Sequence, residues 1–365
     1  MPEFISIKDS PNNKHKKYSI TFLFISLLVF EVVSIKASAQ ISGGGYAESW
    51  LFRDQCARPI ALAGGFTAIS NDPSAIIYNP AGLSNLNYEP QIITSVGMLG
   101  LGRTNATLAW GQQIYDNLGI GLSFNSLNTG TFTARDLLGH AYNEYSNFQY
   151  ALSAAAAYKI GYASFGATAK YLTNNLQGAE TFANGYSVDF GAMFDLIDMF
   201  NFGIVLQNAS GMMFWNTINS ELMTLPWRIK AGLATRIGLN SDSYIDRSTA
   251  TGEYEDVYIP ATRFILLGID ASFTQFSKSP TFTFSAEFTA HELITFRGGI
   301  AIYGEKFGKT QLFPMTQWGA GVSIRPNFSE IFESIPADIS IDYSVTNDLI
   351  NYSGISHHIS FSFDF

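Results

Sequence analysis

From Gln91 to the last residue, apolar positions alternate with small or polar ones at a period of two. Leu118–Leu127 is representative: Leu118, Ile120, Leu122 and Phe124 interleave with Gly119, Gly121, Ser123 and Asn125. Tyr186, Val188, Phe190 and Phe194 stand in the same way against Ser187, Asp189 and Gly191, and Phe282, Phe284, Ala286 and Phe288 against Thr283, Ser285 and Glu287. Successive side chains of a strand point to opposite faces, so each segment has one apolar face and one small, polar face. Fourteen such segments follow one another, at about Gln91–Leu101, Thr104–Gln112, Leu118–Leu127, Asn147–Lys159, Ala163–Leu172, Gly185–Phe194, Asn201–Asn208, Trp227–Gly238, Thr262–Phe273, Thr281–Ala290, Leu293–Tyr303, Gln317–Arg325, Ala337–Val345 and Ser356–Phe365. The number is even and each segment is long enough to cross a bilayer when tilted. This predicts an all-β fold: a 14-stranded antiparallel transmembrane β-barrel over residues 91–365, with its apolar face to lipid and its polar face to the lumen.

The spacing of the segments predicts the orientation. With both termini on the periplasmic side, connections after odd strands face outward and should be long. Those at about 128–146, 173–184, 209–226, 304–316 and 346–355 fit, and the connections near 113–117, 160–162, 195–200 and 291–292 are short as required. A polar loop at 239–261 is long although it falls on the periplasmic side, and 326–336 is read with a short helix, Phe328–Ser334.

Ahead of the alternating region lies a stretch of another kind. Residues 57–83 are small, Gly-rich and Pro-punctuated, with one compact helical turn. Asp72 can cap that turn and Pro73 suits its first position. Asn79-Pro80-Ala81-Gly82 stops it, because proline lacks the N–H and disfavours helix at the residue before it. An irregular piece over residues 40–90 therefore precedes the β array.

The run ARPIALAGGFTAISNDPSAIIYNPAGLSNL resembles the N-terminal signature of the FadL-type outer-membrane transporter superfamily, and most closely its PorV/PorQ-like branch. Leu225-Pro226-Trp227-Arg228-Ile229-Lys230-Ala231-Gly232-Leu233-Ala234, Phe296-Arg297-Gly298-Gly299 and Ile341-Asp342-Tyr343-Ser344 resemble later strands of the same family. Gly64-Gly65 stands where many relatives carry Met-Gly, and Gly298 where alanine is common. The resemblance implies a plug inside the barrel, with Asp72, Asn79, Pro80, Ala81 and Gly82 as its motif. It also implies uptake of hydrophobic, fatty-acid-like molecules, or in the PorV-like branch a part in type IX secretion through binding of secreted proteins. The closing stripe Ile359, Phe361, Phe363 and Phe365 resembles the C-terminal signal strand read by the barrel-assembly machinery.

Residues 1–39 read as a cleaved signal peptide: Lys14, Lys16 and Lys17 precede an apolar run from Ile20 to Phe30, and Ala37-Ser38-Ala39 forms an A-x-A site. Export and the barrel pattern together predict the outer membrane of a Gram-negative cell, with its lipid as surroundings. Only 14% of residues are charged, against about 25% in soluble domains. The whole chain carries a net charge of −9, and nucleic-acid binding, which needs a basic footprint, is excluded. The single cysteine, Cys56, cannot form an internal disulfide and is expected as a small buried residue of the plug.

No hydrolase, zinc-protease, P-loop or C-x-x-C motif is present, so neither an enzyme nor a cofactor or metal is expected. His357 and His358 are adjacent and must face opposite sides of a strand. Binding residues are the better candidates. Met212-Met213-Phe214-Trp215 reads as an exposed apolar loop after strand seven, suited to collecting an apolar ligand. Arg228, Lys230, Arg236, Arg297 and Arg325 fall on the lumen face, with Asp189, Glu287 and Asp342 as counter-charges. Such a lumen could hold a carboxylate head group while its tail lies on Phe66 and Ile76, or its charges could pair with each other and with the plug.

Overall fold

The computed structural model describes residues 47–196, 200–217, 222–240, 243–248, 254–259, 261–275, 277, 279–304, 316–326, 338–347 and 354–365. The expected signal segment at 1–39, residues 40–46 and the expected helix Phe328–Ser334 lie outside them.

Fourteen strands form one sheet closed on itself. They are β1 Gln91–Met98, β2 Thr104–Tyr115, β3 Leu118–Arg135, β4 Ala141–Ile160, β5 Ala163–Gln177, β6 Thr181–Leu196 and β7 Phe200–Trp215. The ring continues with β8 Arg228–Gly238, β9 Phe264–Thr274, β10 Thr281–His291, β11 Ile294–Tyr303, β12 Thr316–Ile324, β13 Asp338–Asn347 and β14 Ile355–Asp364. Each pairs antiparallel with its neighbour in sequence, and β14 pairs back onto β1 from Gln91↔Asp364 to Met98↔His357. Closure leaves none of the fourteen as an edge strand, so the aromatic stripe ending in Phe365 is not an exposed edge. The alternation does what it predicts. Leu122, Phe190, Ile269, Phe284 and Ile359 point outward and are exposed, while Ser123, Asp189, Asp270, Ser285 and Ser360 point inward and are buried. An apolar exterior around a filled polar interior is the surface of a bilayer-spanning barrel.

Two sequence-based expectations need correction. The stretches 128–146 and 173–184 are not long loops. β3 and β4 stay paired out to Arg135↔Ala141, and β5 and β6 out to Leu176↔Thr181, each hairpin closing on a short turn. Beyond the bilayer both faces of a strand meet water, so the chain keeps strand-forming Thr, Tyr and Phe without alternating. The 239–261 stretch likewise holds a two-stranded hairpin, Ser243–Ser248 with Tyr254–Ile259.

Residues 47–90 run down the inside of the ring. A 3-10 turn, Ser49–Phe52, lies at the end opposite the chain terminus, here the far end. Helix α1, Ala57–Ala61, and helix α2, Ala75–Tyr78, follow, and a second 3-10 turn, Pro80–Asn85, lies at the terminal end. Asp72 fixes the entrance to α2 as expected, accepting from the Ser74 N–H at 2.9 Å. Asn79-Pro80 ends α2 and at once starts the next turn, with Asn79 as its cap and Pro80 at its first position.

The barrel makes room for this backbone with inward glycines. A Cβ on Gly119 would overlap the Leu83 carbonyl, on Gly203 that of Thr67, on Gly299 that of Leu62 and on Gly319 that of Ile60. Apolar side chains fill the remaining space in three layers. Leu83, Ile76 and Leu86 meet Ala109 and Ala155 at the terminal end, and Phe66, Ile69 and Tyr78 meet Ala234 and Leu266 in the middle. At the far end Trp50 meets Leu127, Leu172 and Met213.

Candidate functional site

The plug is tied to the wall by charge as well as by packing. The Arg58 guanidinium on α1 donates to Glu287 of β10 at 3.0 Å and pairs with Asp72 of the plug at 2.9 Å. Glu287 also accepts from Arg297 at 2.7 Å, and Arg297 reaches Asp342 of β13 at 2.5 Å. The side chains of Glu287 and Arg297 are almost wholly buried, a setting in which an unpaired charge would cost several kcal/mol, on the order of 3–5. The pairing reading of the lumen charges therefore holds for these residues.

Three more of the expected lumen cations, Arg228, Lys230 and Arg236, are also engaged, Arg236 with the Ala261 carbonyl at 2.7 Å. Lys230 donates to the Gly64 carbonyl at 2.7 Å and stands 3.9 Å from Asp270, whose carboxylate accepts from the Thr67 N–H at 3.0 Å. Arg228 donates to Gln207 at 2.8 Å and to the Phe52 carbonyl at 3.1 Å, stacking on the Phe52 ring. Arg228 and Lys230 thus form no open clamp for a carboxylate head group. Phe66 is fully buried, edge-to-face with Tyr78 at 5.4 Å, and offers no surface to a ligand tail. It is plug core.

Asn79 is the hinge pin of the motif. Its side-chain oxygen accepts from the Ala81 N–H, and its amide donates to the Thr67 carbonyl at 2.8 Å and to the Ala192 carbonyl of β6 at 3.2 Å. One fully buried side chain thus joins two plug segments and the wall. Asn79→Ala should destabilise plug docking by about 2–4 kcal/mol, since it strands buried carbonyls and an N–H. Thermal unfolding in detergent and protease sensitivity of the plug would measure this. An unchanged melting point with unchanged protection would remove Asn79 from that role.

Cys56 is buried, as expected, at a left-handed backbone position with φ 63°. Burial, with Asp72 and Asp342 nearby, pushes its thiol well above the ordinary range, so it is inert while the plug is seated. His357 faces outward, stacked on and hydrogen-bonded to Tyr343 at 2.7 Å, while His358 points inward and is buried.

Met212–Trp215 is not a loop. β7 runs unbroken to Trp215 and pairs with β6 as far as Ala183↔Trp215. Met213 faces inward and is fully buried, and Trp215 packs beside it. Phe214 points out and is half exposed, its ring tilted against that of Tyr186 at 6.4 Å. The apolarity that suggested a collecting loop is one wall of an internal chamber instead. Leu99, Leu127, Ala151, Leu172, Ala183, Met213 and Leu225 line that chamber, and Trp50 fills it. Sequence reasoning passed over it because its residues come from seven separate stretches. The available signal was the inward positions Leu127, Leu172 and Met213, which turn apolar where the lower lumen is polar.

Beside the chamber β7 is irregular. Two extra residues lie between the pairs Val188↔Ser210 and Phe190↔Leu206, and Asn208 takes φ 52°. Pairing of β7 with β8 stops at Gln207↔Arg228 and resumes only with a short strand at Met212↔Thr224. Side chains close the seam. Asp189 accepts from the Asn208 N–H at 2.8 Å, Asn208 donates to the Pro226 carbonyl at 3.1 Å, and Lys170 balances Asp189 at 2.6 Å.

A closed antiparallel ring of fourteen strands with the N-terminal segment packed inside is a distinctive architecture. The fold is that of the FadL-type barrels. The chain is similar to a FadL homologue of Pseudomonas aeruginosa, with a TM-score of 0.53 at 12% identity over 88% of this chain and 98% of that one. It is similar to the toluene transporter TodX of Pseudomonas putida, with a TM-score of 0.55 at 11% identity over 85% and 98%. The CymD monoaromatic hydrocarbon channel gives 0.50 at 12% identity over 85% and 98%. TodX is a transporter and CymD a channel. No family model matches the chain, and no curated protein matches it in sequence.

Proposed function

We propose that the protein is an outer-membrane channel for hydrophobic small molecules, gated by its N-terminal plug. The observation that carries this reading is the far-end apolar chamber, where Leu127, Leu172, Met213 and Leu225 of the wall close around Trp50 of the plug. A lumen that only conducted ions or sugars would have no use for Leu127, Leu172, Met213 and Leu225 on its inner face. The transporter and the channel among the structural neighbours support the reading, and so does the irregular seam of β7, where pairing with β8 is interrupted beside the chamber. Within this reading the signal segment directs export, and the C-terminal strand serves recognition by the barrel-assembly machinery.

Uptake of labelled toluene, labelled decanoate and labelled indole by cells with and without the protein tests the proposal. Expression should raise uptake of at least one of them. Ala183→Phe, which fills the chamber from the wall, should return it to background while the barrel still folds. Uptake unaffected by the protein would refute the channel.

A second reading, a PorV-like role in type IX secretion, is favoured by one observation. The β3–β4 hairpin stands clear of the barrel and carries Leu137 and Leu138 fully exposed at its tip. Bare leucines at the tip of a projecting hairpin suit a protein partner better than a small ligand. Native mass spectrometry of protein from its own membrane separates the readings. A bound secreted protein lost on Leu137→Ser/Leu138→Ser supports secretion, and a bound small hydrophobe with no protein partner supports the channel.

A further inference from the structure

The far-end chamber has polar groups left over. Asn174 lies on the inner face of β5, two residues from Leu172, and is almost wholly buried. Its amide nitrogen donates to the Glu48 carboxylate at 2.7 Å, but its side-chain oxygen has no partner. The indole N–H of Trp215, packed against the same cluster, is also buried without one. A buried acceptor and a buried donor left unsatisfied beside an apolar chamber call for an occupant that can pair with them.

The present occupant belongs to the chain itself. The Trp50 ring sits in the cluster of lining residues, and its N–H is satisfied within its own turn by Glu48 at 2.7 Å. Glu48 holds a left-handed conformation, φ 49°, which a non-glycine residue adopts only at some cost. The chamber is therefore filled by a planar ring bearing one N–H, on a turn held in a strained backbone state.

We infer that this chamber is a binding site for a planar aromatic molecule carrying a hydrogen-bond donor, of the indole or phenol class, and that the Trp50 turn is its built-in competitor. Asn174 is the residue that selects for the donor. When the ligand enters, the Trp50 ring leaves, Glu48 keeps its bond from the Asn174 amide, and the Asn174 oxygen gains the bond it lacks. An unbranched acyl chain or a plain hydrocarbon ring would leave that oxygen unsatisfied, and sites with a buried polar group discriminate strongly against ligands that cannot pair with it. The inference deepens the channel reading and rests on it for what happens to the ligand after binding.

The test uses the full-length mature barrel in detergent, with indole as the probe and 1-methylindole as its donor-free control, measured by calorimetry. Trp50→Ala removes the competitor and should tighten indole binding by about tenfold or more. In that background indole should be preferred to 1-methylindole by about tenfold, and adding Asn174→Leu should abolish the preference while 1-methylindole still binds. No gain in Trp50→Ala, or no preference for the donor, overturns the inference. Should Trp50→Ala fail to fold, the chain with Ala47→Cys and Cys56→Ser provides the readout. Indole should raise maleimide labelling at position 47 several-fold, and unchanged labelling refutes displacement. Toluene uptake by cells separates the two proposals. Uptake without indole binding keeps the channel and removes this site, and indole binding without uptake of any probe does the reverse.

Discussion

Glu287→Ala frees the plug from the barrel wall at a cost of about 5 kcal/mol, the upper end of what breaking a buried ion pair costs. Glu287 is the one carboxylate that accepts from both Arg58 of the plug and Arg297 of the wall. Its loss leaves two guanidiniums short of charge in a nearly water-free layer, though Arg58 keeps Asp72 and Arg297 keeps Asp342. Arg58→Ala should cost less, about 3 kcal/mol, because Glu287 then still holds Arg297. Combining the two should cost less than the sum, since both act on one contact. Cys56 is a native reporter: buried beside α1, it should become reactive to maleimide in Glu287→Ala and stay protected in the parent protein. Planar-bilayer recordings should show long openings in the variant where the parent is closed. A Cys56 that stays protected, with closed-channel recordings, would show that packing alone seats the plug.

Gly203→Val should unseat the plug by a different route, at about 3 kcal/mol, the upper range for overpacking. The new side chain would occupy the place of the Thr67 carbonyl, and a backbone atom held by the Asp270–Thr67 bond cannot swing aside as a side-chain tip can. Gly298→Ala is the control. It points outward with open space around it and should be neutral to within about 0.5 kcal/mol, in keeping with the alanine that the family resemblance places there. The melting temperature and the rate of Cys56 labelling should change together in Gly203→Val and in neither respect in Gly298→Ala. Equal behaviour of the two variants would mean that the inward glycines do not serve the close approach of the plug.

The barrel was legible because a bilayer imposes a strict two-sided pattern on every strand crossing it. All fourteen strands appear where alternation places them, from Gln91 to the closing stripe at Phe361 and Phe363. Legibility ended where that constraint ended. Past Asn128 and before Asn147 water lies on both sides, and the paired extensions of β3 and β4 look like loop in the sequence. The plug turn at Asp72 and the stop at Asn79-Pro80 could be read because capping and proline act locally. The chamber could not, because it joins Trp50 to Leu172 and Met213 across more than a hundred residues of chain, and no local rule couples them. Met212–Trp215 shows the same limit: its apolarity was plain, but whether it faced water or the lumen depended on the strand continuing. Arg228 and Lys230 were correctly placed on the lumen face, and their commitment to plug carbonyls became visible only once the plug lay beside them.

The ring closes between its first and last strands, where Ser95 meets Ser360 across 265 residues of sequence, and that same Ser360 accepts from the Ala57 N–H of the plug, 303 residues away. Contacts this remote form late, because the chain between them must be gathered first. The plug precedes β1 in the chain yet ends up enclosed by a wall whose final seam waits for the last ten residues. Docking of β14 supplies the Ser360 oxygen that holds the first residue of α1, so closing the ring and seating the plug favour each other through one shared atom.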